Sequence, residues 1–299
     1  MRRTIAALVC AAAAALATPA LTAPAHAQAA KPVIRKQFVA GRGVHIATSG
    51  TIGSRQGIAV KYHDEGDVQF GTSGIAATDT TSTMDWGGLF GDDDVLQGLD
   101  GPTRTITVKG TSYQQGGIFS DLLPPGKTWL ALTGGDPAAS LSAGFQLVDV
   151  FRPGLLKALL ATTAAKGAGG TEDRVRTTAY RGTITLGGYY TAYYGDTPQT
   201  RRLLSTMSAE ERRSPLYWRV WIGSDGLVRH VSTAIRASLG TEKNAVKGTG
   251  DELVLRSSTR LTHWGGKVRI TPPPADQVAQ LKDLISPIPD IPDYINLGD

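Results

Sequence analysis

A single cysteine, Cys10, is the only thiol the sequence has. It lies in the apolar run Ile5 to Leu16, after Arg2 and Arg3 and before Ala25-His26-Ala27. A positive start, a short apolar core and a small-x-small site make a secretory signal peptide. Residues 1–27 are therefore expected to be removed, and the mature chain to start at Gln28. Leu8-Val9 are the wrong residues to precede a lipid-modified cysteine, so no acyl anchor is expected at Cys10. Thr4-Ile5-Ala6 fit a twin-arginine signal poorly, which makes ordinary secretion the expected route. Pro19 and Pro24 follow the apolar run too closely for a membrane span, which takes ~20 residues. The mature chain then has no thiol, which excludes disulfides, thiolate nucleophiles and cysteine metal sites.

Catalytic vocabulary is equally scarce. Gly71-Thr72-Ser73-Gly74 lacks the spacing of a nucleophile elbow and reads as a turn. No glycine-rich loop ends in Gly-Lys-Ser/Thr, so nothing is built to cradle a phosphate chain. His45, His63, His230 and His263 form no HExxH or comparable pair, and each falls in or beside a predicted strand. Asp92-Asp93-Asp94 lacks the alternate spacing and closing glutamate of a calcium loop, and reads as a solvated acidic loop, as does Asp64-Glu65. A hydrolase would need Ser, His and Asp to converge from distant segments. The expectation is a protein that is not an enzyme and carries no cofactor or metal.

Charge is mildly basic, with 31 Lys and Arg against 26 Asp and Glu. The cations are spread rather than clustered with stacking aromatics, so nucleic acid is not an expected partner. Weak attraction to anionic lipid or wall polymer is compatible with that balance.

What the chain has in quantity is short alternating segments among 36 glycines. Trp218, Val220 and Ile222 recur at period two before Gly223-Ser224-Asp225-Gly226. Leu227, Val231 and Ile235 recur after it, with Arg229 and Thr233 interrupting. Period two on both sides of an Asp-Gly turn predicts a β-hairpin. Further strands are predicted over Val44–Ile52, Gly57–Tyr62, Asp67–Gly71, Thr103–Gly110, Ser112–Gln115, Trp129–Leu132, Arg174–Leu186, Glu252–Leu261 and Gly266–Thr271. The stretch Thr78–Gly101, with Trp86, Leu89 and Phe90, reads as a polar loop.

Helical spacing appears in the middle of the chain. Asp136-Pro137 resembles an N-cap with proline at the first helical position, and Leu141, Phe145 and Val148 share a face. Pro153 opens a helix with Leu155, Leu156, Leu159 and Leu160 inward, expected to end at Gly167-Ala168-Gly169-Gly170. Leu203–Arg213 reads as a short charged helix, with a Ser208/Glu211 capping box at its better start. Asp276–Ile285 allows one more short helix. Tyr189, Tyr190, Tyr193 and Tyr194 suit either packing on a sheet or an interface with one wet side. Strands, then helices, then strands without βα alternation indicate an α+β domain over residues 44–286. An N-terminal segment (28–43) precedes it, and a Pro-rich tail (287–299) follows.

In this order the segments resemble the LppX/LprG-like envelope proteins with the LolA-like fold. The matching pieces are LPPGKTWL (Leu123–Leu130), Asp136-Pro137, PGLLKALLATTA, VRTTAYRGTITL, VWIGSDGLVRHV and WGGKVRITPPPAD, across roughly Val44 to Ala275. Unlike most such proteins the chain has no cysteine after its signal, and Ala29–Gly43 shows little periodicity where a first helix is usual. The resemblance implies an antiparallel, unclosed β-barrel wrapped around helices, with an apolar cavity between them. It also implies a non-enzymatic binder or carrier of lipid or acylated glycolipid in the bacterial envelope. The chain is expected to be secreted or wall-associated and monomeric, with peripheral membrane contact. Phe145, Phe151, Leu155, Leu156 and Leu159 are the expected helical wall of the cavity, and Trp218, Val220 and Ile222 its sheet wall. The alternative is a protein-interaction or envelope-sensing module on the same scaffold, meeting an envelope protein through the tyrosines and Ser208–Arg213.

Overall fold

The Asp225-Gly226 turn forms because glycine adopts a backbone that other residues rarely do: Gly226 has φ +79°. The Gly223 N–H bonds to the Leu227 carbonyl at 2.8 Å, and the Asp225 carboxylate accepts the Leu227 N–H at 3.1 Å. The hairpin is one piece of a larger sheet, seen in a computed structural model that describes residues 34, 36–53, 58–86, 101–141, 148–238 and 252–284.

In chain order the elements are β1 (Arg42–Gly53), β2 (Ile58–Phe70), β3 (Ile75–Asp85), β4 (Thr103–Val108), β5 (Thr111–Gly116), β6 (Trp129–Thr133), α1 (Pro137–Ser140) and α2 (Pro153–Ala161). There follow β7 (Thr163–Glu172), β8 (Val175–Thr185), α3 (Leu186–Tyr194), α4 (Pro198–Thr206), α5 (Ala209–Arg213), β9 (Pro215–Gly223), β10 (Val228–Ser238), β11 (Glu252–Lys267) and β12 (Val278–Gln280). All twelve strands join one sheet, in the order β12-β6-β5-β4-β3-β2-β1-β11-β10-β9-β8-β7. Among the described residues every pairing is antiparallel except β12 with β6. The sheet ends at β12 and β7, so the barrel is unclosed, the expected architecture.

One face of the sheet meets the helices. The main apolar cluster joins Val44, Val68, Tyr180, Leu216, Trp218, Val220 and Leu261 from the strands to the four leucines of α2. Ile34 is fully buried in the same cluster, and residues 34, 36 and 37 are helical, so a helical turn does precede β1. Phe38, four residues on, packs on the same cluster, its ring 5.4 Å from that of Phe70, and two anchors are too few to show as a period.

Several boundaries differ from the sequence expectation, each for a reason of pairing. His63-Asp64-Glu65-Gly66 is not a turn but the middle of β2, held between β1 and β3. Asp64 is buried there against the Ser82 hydroxyl, and burial raises its pKa above the usual carboxylate value. At Gly66 a side chain would overlap the β3 backbone at Asp79, so this glycine permits close approach rather than reversal. Thr78–Asp85, read as loop, is strand β3, whose threonines suit a paired, half-buried surface. Leu89, Phe90 and Asp92–Asp94 lie outside the described residues.

α2 ends at Ala161, six residues before its expected glycine stop. Thr162 and Thr163 donate hydroxyl bonds to the Leu159 and Leu160 carbonyls at 2.8 and 2.6 Å, and β7 starts at once. The glycines serve a bulge in that strand instead, with Gly170 at φ +79°. The expected pair Glu252–Leu261 and Gly266–Thr271 is one strand, β11, with an irregularity opposite Gly43 and His45. Residues 268–271 leave the sheet: the Val268 N–H bonds to the Gly41 carbonyl and the Ile270 N–H to the Gln69 side chain. In place of a helix over Asp276–Ile285, two 3-10 turns flank β12. The Ser208/Glu211 capping box is present and opens α5.

Candidate functional site

A groove of about 910 Å³ crosses β2, β1, β11, β10, β9, β8 and β7. Register explains its shape. Tyr62, Gly50, Ser257, Thr233, Trp218 and Gly182 are successive cross-strand partners and form one row. Their side chains turn toward the core: Tyr62 and Trp218 are each 3 % exposed, Thr233 5 % and Ser257 7 %. Two rows that reach solvent flank this one. In the first, Lys61, Thr51, Arg256, Ala234, Tyr217 and Thr183 are partners in turn. In the second, Ser49 leads through Ser258 and Ser232 to Arg219 and Arg181.

Small side chains at the centre of both rows leave the trough; Arg256, Tyr217, Arg219, Arg181 and Lys61 stand around it, all exposed. The groove therefore opens on the sheet face turned away from the core. Among the described residues no acidic side chain lines it.

The rings that close the floor are held in place. Trp218 Nε1 donates to the Thr162 hydroxyl at 3.1 Å, and its ring covers Gly182. Tyr62 lies over Gly50 and its hydroxyl reaches the Arg256 carbonyl at 3.3 Å. Each aromatic uses the space a glycine leaves, which closes the row at both ends.

Phe151, Leu155, Leu156, Leu159, Trp218, Val220 and Ile222, the expected walls, share one buried cluster between helices and sheet. Trp218 alone among them borders the groove. Phe145 lies outside the described residues. Sequence reasoning missed Tyr217, Arg219, Arg181, Ala234 and Arg256. The strand period does mark Tyr217 and Arg219 as the face opposite Trp218, but not that this face carries a groove.

Arg229, which breaks the hairpin's alternation, is a structural stitch. Its side chain is 4 % exposed, pairs with Asp225 in its own turn, and lies 3.9 Å from Asp173 in the β7–β8 turn. Asp173 in turn accepts the His263 N–H at 3.1 Å. His230 stacks on Trp221 with centroids 4.2 Å apart and contacts the Ser258 hydroxyl at 2.8 Å. Burial lowers its pKa, partly opposed by Glu172, whose carboxylate is 3.7 Å from Nδ1. Among the described residues no three of His, Cys, Asp and Glu converge to hold a metal.

The tyrosines divide between two environments. Tyr189 and Tyr193 face the core, and burial raises the Tyr189 phenol pKa. Tyr190 stacks on Tyr194, which is 53 % exposed. The Arg152 guanidinium sits 4.3 Å over the Tyr193 ring while pairing with buried Asp149.

No family model and no curated protein matches the chain. Among solved structures it is similar to a LolA superfamily protein from Nitrosomonas europaea, at 9 % identity over 82 % of this chain and 94 % of that one, with TM-score 0.28. It is also similar to a DUF1329 family protein from Desulfovibrio piger, at 7 % identity over 82 % and 95 %, with TM-score 0.26. A β-barrel-like DUF1849 protein from Brucella abortus aligns at 10 % identity over 75 % and 99 %, with TM-score 0.19. Likenesses this low assign no residue a role.

Proposed function

We propose that the protein is a non-enzymatic binder or carrier of a lipid or other apolar ligand in the bacterial cell envelope, acting after secretion. This is the role that the LppX/LprG-like resemblance of the sequence implies. The observation that carries the reading is the groove: about 910 Å³, built mainly from aromatic, small and hydroxyl-bearing residues. Ligand sites are typically concave, mostly apolar and of ~300–1,000 Å³. Hiding an acyl chain from water contributes ~0.8 kcal/mol per methylene, and it needs shape and apolar walls rather than a catalytic constellation. The buried cluster under α2 supplies the rigid base on which the groove's floor rests.

Native mass spectrometry of the secreted protein, followed by denaturing lipid extraction, tests the reading. A stoichiometric adduct in the lipid mass range is expected. Bare protein that also takes up no fluorescent fatty acid would overturn it.

A second reading, docking of an envelope protein, is favoured by one observation: Tyr194 and Leu203 are both exposed on the adjoining helices α3 and α4. It predicts that replacing Tyr190 and Tyr194 by serine abolishes partner capture. Unchanged capture removes that surface from consideration.

A further inference from the structure

Resting on the binder reading, we propose that the ligand is an acyl lipid with a phosphate head, and that Arg181 and Arg219 hold that head. Three observations carry this. The first is an uncompensated charge pair. Arg181 on β8 and Arg219 on β9 are direct cross-strand partners on the exposed face. Side chains so placed have Cβ atoms ~4.5–5.5 Å apart, and like charges there are destabilising. Among the described residues neither arginine makes an ion pair within 4.0 Å. Glu172, on the adjacent edge strand, is engaged by His230 at 3.7 Å and Arg260 at 3.9 Å. An anion between the two guanidinium groups relieves the repulsion, and a planar guanidinium matches phosphate oxygens two at a time.

The second observation is position. The same two arginines border both the 910 Å³ groove and a second depression of about 330 Å³ over β7, β8 and β9. The smaller one is lined by Ala165, Lys166, Gly167 and Gly169 at the sheet edge, with Trp221 at its inner side. A tail in the large groove thus runs directly to a head in the small one, with the arginine pair at the junction.

The third is posture and sign. Arg219 is braced 5.4 Å over the Trp221 ring, so less freedom is lost when it binds. Lys166 in the small depression adds a cation. Arg256 in the large one does the same, and among the described residues no acidic side chain lines either depression. A lipid with a neutral head leaves the arginine pair as it stands, whereas a phosphate satisfies it.

The test uses the secreted protein with matched twelve-carbon probes, dodecyl phosphate and dodecanol, competing against a fluorescent fatty acid, with inorganic phosphate as a third probe. Dodecyl phosphate is expected to bind at least about tenfold more tightly than dodecanol, as charge-assisted bonds to phosphate allow. Arg181→Gln with Arg219→Gln should erase that difference. Rising salt should narrow the gap as well. Both arginines are exposed, so the variant is expected to fold, and an unchanged melting temperature checks this. A second variant, Arg181→Lys, keeps the charge but not the fork, and should retain only part of the preference.

Equal binding of both probes, or an undiminished preference in the double variant, overturns the phosphate-head proposal while leaving the binder reading intact. Displacement by inorganic phosphate as effective as by dodecyl phosphate overturns it too, because the site is then an anion site without a tail. Failure of every acyl probe to bind overturns the binder reading itself.

Discussion

Replacing Ala234 by tryptophan tests whether the outward groove is the ligand's seat. Ala234 lies at the centre of the groove, between Arg256 and Tyr217 in register, and is part-exposed. Its side chain shares the face of exposed Tyr217, so an indole there enters the trough rather than the core. That ring takes the room of about four methylenes, which at ~0.8 kcal/mol each removes ~3 kcal/mol of ligand burial. The corresponding rise in Kd is about 150-fold. Tryptophan is a good strand residue, so the melting temperature should stay within a few degrees of the parent's. The assay is displacement of a fluorescent fatty acid, read beside a thermal melt. Undiminished affinity in a variant that melts like the parent refutes the seat, and directs attention to the packed space under α2.

Three further outcomes are expected. Leu159→Ala, at a fully buried position on α2, should cost ~2–5 kcal/mol in a denaturant titration; a loss below ~1 kcal/mol would mean that the cluster is loosely packed there. Gly182→Ala would drive a methyl into the Thr162 carbonyl and the Trp218 ring, and should cost ~1–3 kcal/mol; an unchanged melt would show that β7 and β8 shift freely. For His230 the folded pKa lies below the ordinary 6.5, with burial the largest cause. The unfolded chain therefore binds more protons as pH falls below about 6.5, and the neutral ring's contribution is present above that value and lost beneath it. His230→Gln should flatten the fall in melting temperature between about pH 7 and pH 5, and a fall of undiminished slope would remove this histidine as its source.

Local chemistry determined the Asp225-Gly226 hairpin, the Ser208 capping box and the leucine stripe of α2. Each depends on residues a few positions apart, where turn geometry, caps and periodicity act directly. The tertiary structure decided what distant segments settle between them. His63–Gly66 reads as a turn until β1 and β3 bind it on both sides, and Thr78–Asp85 reads as loop until β2 and β4 pair with it. The glycines at 167–170 read as a helix stop, yet become edge strand once the threonine hydroxyls have closed α2. Alternation placed Tyr217 and Arg219 opposite Trp218 from the sequence alone. That Arg181 stands beside Arg219, and Ser257 between Gly50 and Thr233, is a matter of strand order and register. A period of two names the face a residue belongs to; which residue it faces across the sheet is chosen by the packing of the whole chain.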